Sequence, residues 1–220
     1  MRMRRPLRLL AAVAAAGFVG AGPPAGDVVT TYEVDPSTGA RCLDGSTPRY
    51  WWRGGDPRKV SIHLMGGAWC ESVDSCAERG YGAACYRGSS QPACLAAEYP
   101  GNALANVTFA PTMAMSTIPS LLGARWGGGP LYNATATNPL TSTWSKLWVH
   151  YCDGGSFMGA NMSTTMAPYG NGTVELFYRG DVNFRATIAD AVSRFGIDGA
   201  TDVLLGGDSA GGLAAYYHVD

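Results

Sequence analysis

Ser209 lies in Gly207-Asp208-Ser209-Ala210-Gly211, a G-x-S-x-G pentapeptide that follows Val203-Leu204-Leu205 and precedes Leu213-Ala214-Ala215-Tyr216-Tyr217. The apolar run is long enough for a buried parallel strand, and the residues after the turn have helix composition. Strand, sharp turn with serine at its tip, then helix is the context in which this pentapeptide is a nucleophile elbow. The turn strains the serine and pushes its hydroxyl out over the sheet edge, so its neighbours at two residues' distance must be nearly free of side chain. Gly207, Gly211 and Gly212 meet that need. A helix starting beside Ser209 points backbone N–H groups at a developing oxyanion, with Ala210 N–H as the first donor. The rival reading is a chance match in a chain with 30 glycines, and the flanking strand and helix argue against it.

Such a serine needs a second donor loop. Lys59 to Met65 alternates Val60, Ile62 and Leu64, which predicts a strand. It runs into Gly66-Gly67-Ala68-Trp69-Cys70, where small residues let backbone N–H groups approach a substrate carbonyl. Read alone, the glycine pair is equally an ordinary tight turn. Lys146 to Cys152 predicts another strand, followed by Asp153-Gly154-Gly155-Ser156-Phe157, with Asp153 placed either to contact substrate or to order its loop. Thr173 to Tyr178 reads as a further short strand. Asp181 to Phe195 puts Phe184, Ile188, Ala191, Val192 and Phe195 on one helical face, with Asp181 as N-cap and Gly196 as stop. Cys42 to Trp52 gives turn signals and then an aromatic strand start. Glu71 to Asn138 reads as long, disulfide-pinned loops and short helices, irregular at Trp126 to Pro130. Strand, helix, strand, elbow, helix is a parallel α/β sheet by alternation.

The start of the chain sets the compartment. Arg2, Arg4, Arg5 and Arg8 precede the small-residue apolar stretch Leu9 to Gly20, the pattern of a secretory signal peptide with cleavage after Ala21 or Ala25. That stretch is too short to span a membrane, and nothing later approaches the length needed. Residues 1–25 are therefore read as a signal, and the roughly 195 residues of 26–220 as a single domain large enough for one core. The six cysteines are an even set in an exported chain, which predicts disulfides; their spacing fixes no connectivity and matches no zinc pattern. Cys70 and Cys152 follow parallel strands at the same sheet edge, so they are expected to be bridged to each other or each to a near neighbour. Asn106, Asn133, Asn161 and Asn171 open glycosylation sequons. A net charge of −1 without a basic cluster beyond the signal excludes nucleic acid as a partner. Nothing in the composition sets an oligomeric state.

Taken together, five stretches resemble the pectin acetylesterase/Notum family of secreted serine esterases. They are Cys42 to Ser46, His63 to Cys70, Tyr151 to Phe157 with Gly159, Arg179-Gly180 before the long helix, and Gly207 to Leu213. The resemblance implies an α/β-hydrolase-like, mostly parallel sheet with helices on both faces. It also implies carboxylic-ester hydrolysis with no metal and no cofactor, by Ser209 as nucleophile and an oxyanion hole of Gly67, Ala68 and Ala210 N–H. Trp69 and Asp153 are the candidates for a substrate pocket. The YCDGGSF form is similar to the plant pectin acetylesterase branch, which implies O-acetyl groups on polysaccharide as substrate, in the cell wall or outside the cell, in preference to a lipid acyl ester. Plant-type members commonly carry Cys at the positions of Asp208 and Val219, and the departure sets a carboxylate beside the nucleophile.

A triad of this order places the acid and then the histidine after the serine, and eleven residues follow Ser209 here. His63 and His150 lie in strands, and His218 is too far along the elbow helix to take the serine proton. The sequence therefore reads as the front half of an esterase, ending after the elbow, and the 220 residues are expected to be inactive by themselves. Two rivals remain open at this stage: a catalytically silent, secreted carbohydrate-binding relative, and a structural glycoprotein in which the pentapeptide is coincidence.

Overall fold

The computed structural model describes residues 28–83, 85, 87–94, 112–114 and 140–219. The signal-like start, the sequons at Asn106 and Asn133 and the 126–130 stretch lie outside the described residues. Strands β1 (Val28–Glu33), β2 (Arg49–Arg53), β3 (Asp56–Leu64), β4 (Thr112–Ala114), β5 (Trp144–Val149) and β8 (Asp202–Gly207) form one mixed sheet, in the order β4-β1-β2-β5-β3-β8. β6 (Thr165–Tyr169) and β7 (Gly172–Leu176) make a separate hairpin. Among the described residues the longer helices are α1 (Val73–Tyr81), α2 (Gly180–Phe195) and α3 (Ala210–Tyr217).

The predicted parallel strands are present, but the run before the elbow is not buried. β8 is an edge of the described sheet, with Val203 57% and Leu204 43% exposed, because among the described residues no strand pairs on its outer side. β3 lies between β5 and β8 and pairs parallel with both, Ile62 opposite Leu147 on one side and Leu205 on the other. β2 joins β5 antiparallel, and β1 and β4 extend that antiparallel wing. Side chains alternate between the faces of a strand, so this register sorts them. One face gathers Tyr50, Trp52, Leu147, Val149, Ile62 and Leu64, all buried. α2 covers it: Phe195 stacks on Trp52 with ring centroids 4.1 Å apart, and Tyr50 donates its hydroxyl to Asp190 Oδ2 at 2.6 Å. The other face carries Trp51, Arg53, Lys146, Trp148, Ser61 and His63. Burial there, with the Arg53 charge beside it, pulls the Lys146 ammonium down to about 8. Its Nζ is satisfied by the carbonyl and hydroxyl of Thr141.

α3 packs on β8 and β3 through Ala210 and Ala214, both fully buried. Its last turn meets α2 where His218 stacks on Phe184 at 4.1 Å. α1 packs instead on the β6–β7 hairpin, around Leu43, Cys76, Ala77, Ala167 and Leu176. The strand expected over Thr173 to Tyr178 is thus β7, which ends at Leu176 and forms one arm of a hairpin outside the main sheet. Asp181 is not the N-cap of α2. Arg179 holds that position, and Asp181 lies in the first turn with its carboxylate 2.8 Å from Arg185 Nε. Gly196 ends the helix in the left-handed conformation, as expected.

All six cysteines are paired: Cys42–Cys152, Cys70–Cys76 and Cys85–Cys94. Cys70 does bond a near neighbour. Cys152 does not, because the turn at Cys42 returns beside the end of β5 and Leu43 N–H donates to Cys152 O at 2.8 Å.

Cross-link position has a measurable consequence. Chain entropy assigns about 5 kcal/mol to closing a loop of the Cys42–Cys152 size and about 2 kcal/mol to a loop as short as Cys70–Cys76. Urea unfolding of the paired Cys→Ser variants should show roughly twice the loss of stability for the first pair as for the second.

Candidate active site

The elbow is built by backbone contact. Between β8 and α3, Ser209 has φ 50° and ψ −117°, a conformation that costs a non-glycine residue on the order of 1–3 kcal/mol. Two close approaches hold it there. A Cβ on Gly207 would lie 2.3 Å from Gly211 carbonyl atoms, and one on Gly211 would lie 2.0 Å from Leu64 O. The turn is therefore pressed against the end of β3 with no room for a methyl group. Ser209 itself is exposed, while Ala210 behind it is fully buried. The sterically small positions predicted around the serine are the ones in contact.

The loop after β3 has a complementary design. Gly67 (φ 149°) and Ala68 (φ 53°) both have positive φ. Their carbonyls are drawn back into the protein: Arg79 Nη1 donates to Gly67 O at 3.0 Å, and Tyr151 Oη donates to Ala68 O at 2.6 Å. Because the C=O of one residue and the N–H of the next point oppositely across their shared peptide, Arg79 on Gly67 O also fixes the Ala68 N–H, and Tyr151 on Ala68 O fixes the Trp69 N–H that follows. Among the described residues, none accepts a hydrogen bond from the N–H of Gly67, Ala68 or Ala210. Three unsatisfied donors on two abutting turns are what a developing oxyanion requires. The loop's exit is secured by the Cys70–Cys76 bridge, by Cys70 N–H on Gly154 O (3.0 Å), and by the Ser72–Ser75 capping box of α1.

Tyr151 and Arg79 were not singled out in the sequence. Tyr151 stands at the head of the YCDGGSF stretch, where its hydroxyl also accepts Ser156 N–H at 3.0 Å. Arg79 carried no comparable signal. Trp69, immediately after the donor loop, is 47% exposed and open to a ligand ring. Asp153 has the loop-ordering role of the two foreseen for it. It is 2% exposed, and its carboxylate accepts Gly155 N–H at 2.9 Å and Phe157 N–H at 3.1 Å. It supports Ser156 and Phe157, both at positive φ. Burial pushes its carboxyl up to about 7, against the pull of the two N–H donors and the Arg79 charge.

Each histidine is committed elsewhere. His150 is enclosed beside Ser89 O; burial, with Arg87 and Arg49 nearby, pulls its imidazole down to about 3, so it stays neutral. His218 donates from Nε2 to Phe157 O at 3.0 Å. His63 Nε2 lies 3.0 Å from Asp208 Oδ1. Asp208 also accepts Gly66 N–H at 3.1 Å. Burial pushes the Asp208 carboxyl up, but the His63 hydrogen bond and charge, Gly66 N–H and the Arg87 charge outweigh it and hold the group below the usual aspartate range. No described histidine is hydrogen-bonded to the Ser209 hydroxyl. Among the described residues no cluster of His, Cys, Asp and Glu is arranged to hold a metal ion. None of the described helices is long and apolar enough to cross a membrane.

The chain is similar in sequence to known proteins. The family model described as pectinacetylesterase matches residues 25–114 and 122–220. Pectin acetylesterase 11 of Arabidopsis thaliana is 31% identical over 195 residues, covering 87% of this chain and 40% of the relative. Pectin acetylesterase 7 of the same plant is 32% identical with the same coverage. Pectin acetylesterase 5 is 34% identical over 185 residues, 83% of this chain and 35% of the relative. The chain thus spans well under half the length of these relatives.

Two outcomes are expected from this geometry. Gly211→Ala should destabilise by about 1–3 kcal/mol, the cost of forcing a methyl group into packed backbone. Gly212→Ala, whose nearest contact would be Gly207 O at 3.3 Å, should cost clearly less than Gly211→Ala in denaturant titrations. Asp153 gives a pH signature. The folded chain keeps its proton to about pH 7, and the unfolded chain releases it near 3.8. Stability from this group is therefore fully present below about pH 4 and lost as pH rises to about 7. Asp153→Asn cannot ionise, so its stability relative to wild type should rise across that window, by on the order of a few kcal/mol. A flat difference would contradict burial of an ionisable carboxyl there.

Proposed function

The chain belongs to the pectinacetylesterase family, and on that premise we propose that it carries the nucleophile and oxyanion hole of a serine esterase that removes acetyl groups from pectin. The observation that carries this reading is the juxtaposition of Ser209, strained at the tip of its elbow, with a loop whose Gly67 and Ala68 carbonyls are tied back. In the proposed reaction Ser209 Oγ attacks the acetyl carbonyl and loses its proton to a general base. The tetrahedral oxyanion is stabilised by Gly67, Ala68 and Ala210 N–H. Collapse returns the proton to the departing sugar hydroxyl and leaves an acetyl-serine. Water then attacks that ester through the same oxyanion site and releases acetate. Trp69 supplies a flat apolar face on which a sugar ring can stack. No step calls for a metal or cofactor.

The base is the piece these residues do not supply. His63, His150 and His218 are each held by another partner. We therefore place the catalytic histidine and its acid elsewhere in the polypeptide, consistent with relatives more than twice as long as the matched region. The three disulfides support an oxidising destination, and with the signal-like start they support our reading of a protein secreted to the cell wall. Asn161 and Asn171, both exposed, are the described sequons open to a glycan.

Acetate release from acetylated pectin and from p-nitrophenyl acetate tests this reading. The full protein should be active and its Ser209→Ala variant reduced to the residual of roughly 10³–10⁴-fold over water left by oxyanion donors and binding. Residues 1–220 alone should show only that residual, far below the usual enzymatic range of about 10⁶-fold or more. Undiminished turnover in Ser209→Ala would refute the nucleophile, and full activity in the 220 residues would refute the external base.

A further inference from the structure

Asp208 is the one charged group at the elbow, and nothing in the reaction uses it. A carboxylate facing the reacting carbonyl would oppose the developing oxyanion, yet here it is turned toward the neighbouring loop. Its Oδ1 accepts Gly66 N–H at 3.1 Å and faces His63 Nε2 at 3.0 Å. An ionised carboxylate only accepts, so His63 Nε2 carries the proton. The His63 ring is in turn packed against Trp148, centroids 4.8 Å apart. A Cβ on Gly66 would lie 2.4 Å from Asp208 Oδ2 and 2.2 Å from its carbonyl oxygen. The Asp208 backbone is engaged at the same junction, its N–H on Leu64 O at 3.3 Å and its carbonyl accepting Gly211 N–H at 2.8 Å.

The three donors are not equally secured by the rest of the protein. Ala68 N–H belongs to the peptide whose carbonyl, Gly67 O, is held by Arg79. Ala210 N–H is fixed by the start of α3. Gly67 N–H belongs to the Gly66–Gly67 peptide, which lies between the Arg79 anchor and the Asp208 contact. Its direction is set by how Gly66 is held.

We propose that Asp208 is a positioning residue: its carboxylate, oriented by His63, grips Gly66 N–H and so aims the Gly67 N–H at the oxyanion formed on Ser209. The inference rests on Ser209 being the nucleophile, but the clamp itself is a physical contact that can be read without activity. Asp208 acts on the transition state through the loop and touches no substrate, so its loss changes kcat and leaves KM alone.

The experiment uses the full protein with Asp208→Ala, Asp208→Asn and His63→Phe, p-nitrophenyl acetate kinetics, and amide hydrogen exchange across residues 64–70. Asp208→Ala should lower kcat about 100-fold, the scale of one lost or misaimed oxyanion donor, with KM within about two-fold. Asp208→Asn keeps an acceptor for Gly66 N–H and should recover to within about ten-fold of wild type. His63→Phe keeps a ring against Trp148 but removes the donor, and should fall between the two. Exchange at Gly66, whose N–H the clamp holds, should accelerate in Asp208→Ala and not in Asp208→Asn. Equal loss in the Ala and Asn variants, a rise in KM in place of the fall in kcat, or unchanged exchange in Asp208→Ala overturns the proposal. If Asp208→Ala does not fold, an unchanged kcat in His63→Phe overturns it equally. If the wild-type protein hydrolyses no ester, the esterase reading fails, and the exchange data alone decide the clamp.

Discussion

The site depends on a single backbone contact, the seating of Gly211 and Gly207 on the end of β3. A methyl group on Gly211 would lie 2.0 Å from Leu64 O, so the backbone of the elbow sits directly on the end of β3 with nothing between them. β3 is itself held on both sides by parallel neighbours, β5 and β8. The strand that ends at Leu64 therefore delivers the donor loop, and the strand beside it delivers the serine. Their relative position is fixed by hydrogen-bond register instead of by side-chain packing. This accounts for a site that combines residues 66–70 and 207–211, far apart in sequence, with so little side chain between them.

Such a site stores strain. Ala68 and Ser209 both adopt positive φ without being glycine, at a cost on the order of 1–3 kcal/mol each. Neither conformation would persist on an unsupported loop. The supports are polar and come from three directions: Arg79 from α1, Tyr151 from the end of β5, and Asp208 from the elbow. Hydrogen bonds involving a charged group contribute about 1.5–3 kcal/mol each, comparable to the strain they oppose. Asp153 repeats the device one layer further back, where its buried carboxylate holds the 153–157 loop that meets Cys70 through Gly154 O. Cys42–Cys152 and Cys70–Cys76 anchor the outer ends of the same loops.

What the sequence revealed follows from which interactions are local. The Val60-Ile62-Leu64 alternation, the apolar run before Gly207 and the helical face from Phe184 to Phe195 are written in neighbouring residues, and the corresponding elements are present. The elbow was legible because its steric demand falls on residues two positions from the serine. Of the antiparallel wing, the aromatic strand at Arg49–Arg53 was legible, but Val28–Glu33 was not, since it finds its partner there and has no periodicity of its own strong enough to stand out. The Cys42–Cys152 pairing joins positions 110 residues apart, a separation that carries no spacing signal. Asp208 looked like an unexplained charge because His63 lies 145 residues away, across the β3–β8 pairing. Asp153 left both of its roles open until burial selected one.

The claim that Gly67, Ala68 and Ala210 N–H converge on one point above Ser209 is tested most directly by a crystal structure of the full protein inactivated with a methylphosphonate ester. The adduct should sit on Ser209 Oγ with its phosphoryl oxygen about 2.7–3.1 Å from those three nitrogens, the distance at which donors stabilise an oxyanion. A phosphonate bonded to Ser209 whose oxygen points to solvent, or an adduct on any other residue, would contradict the account.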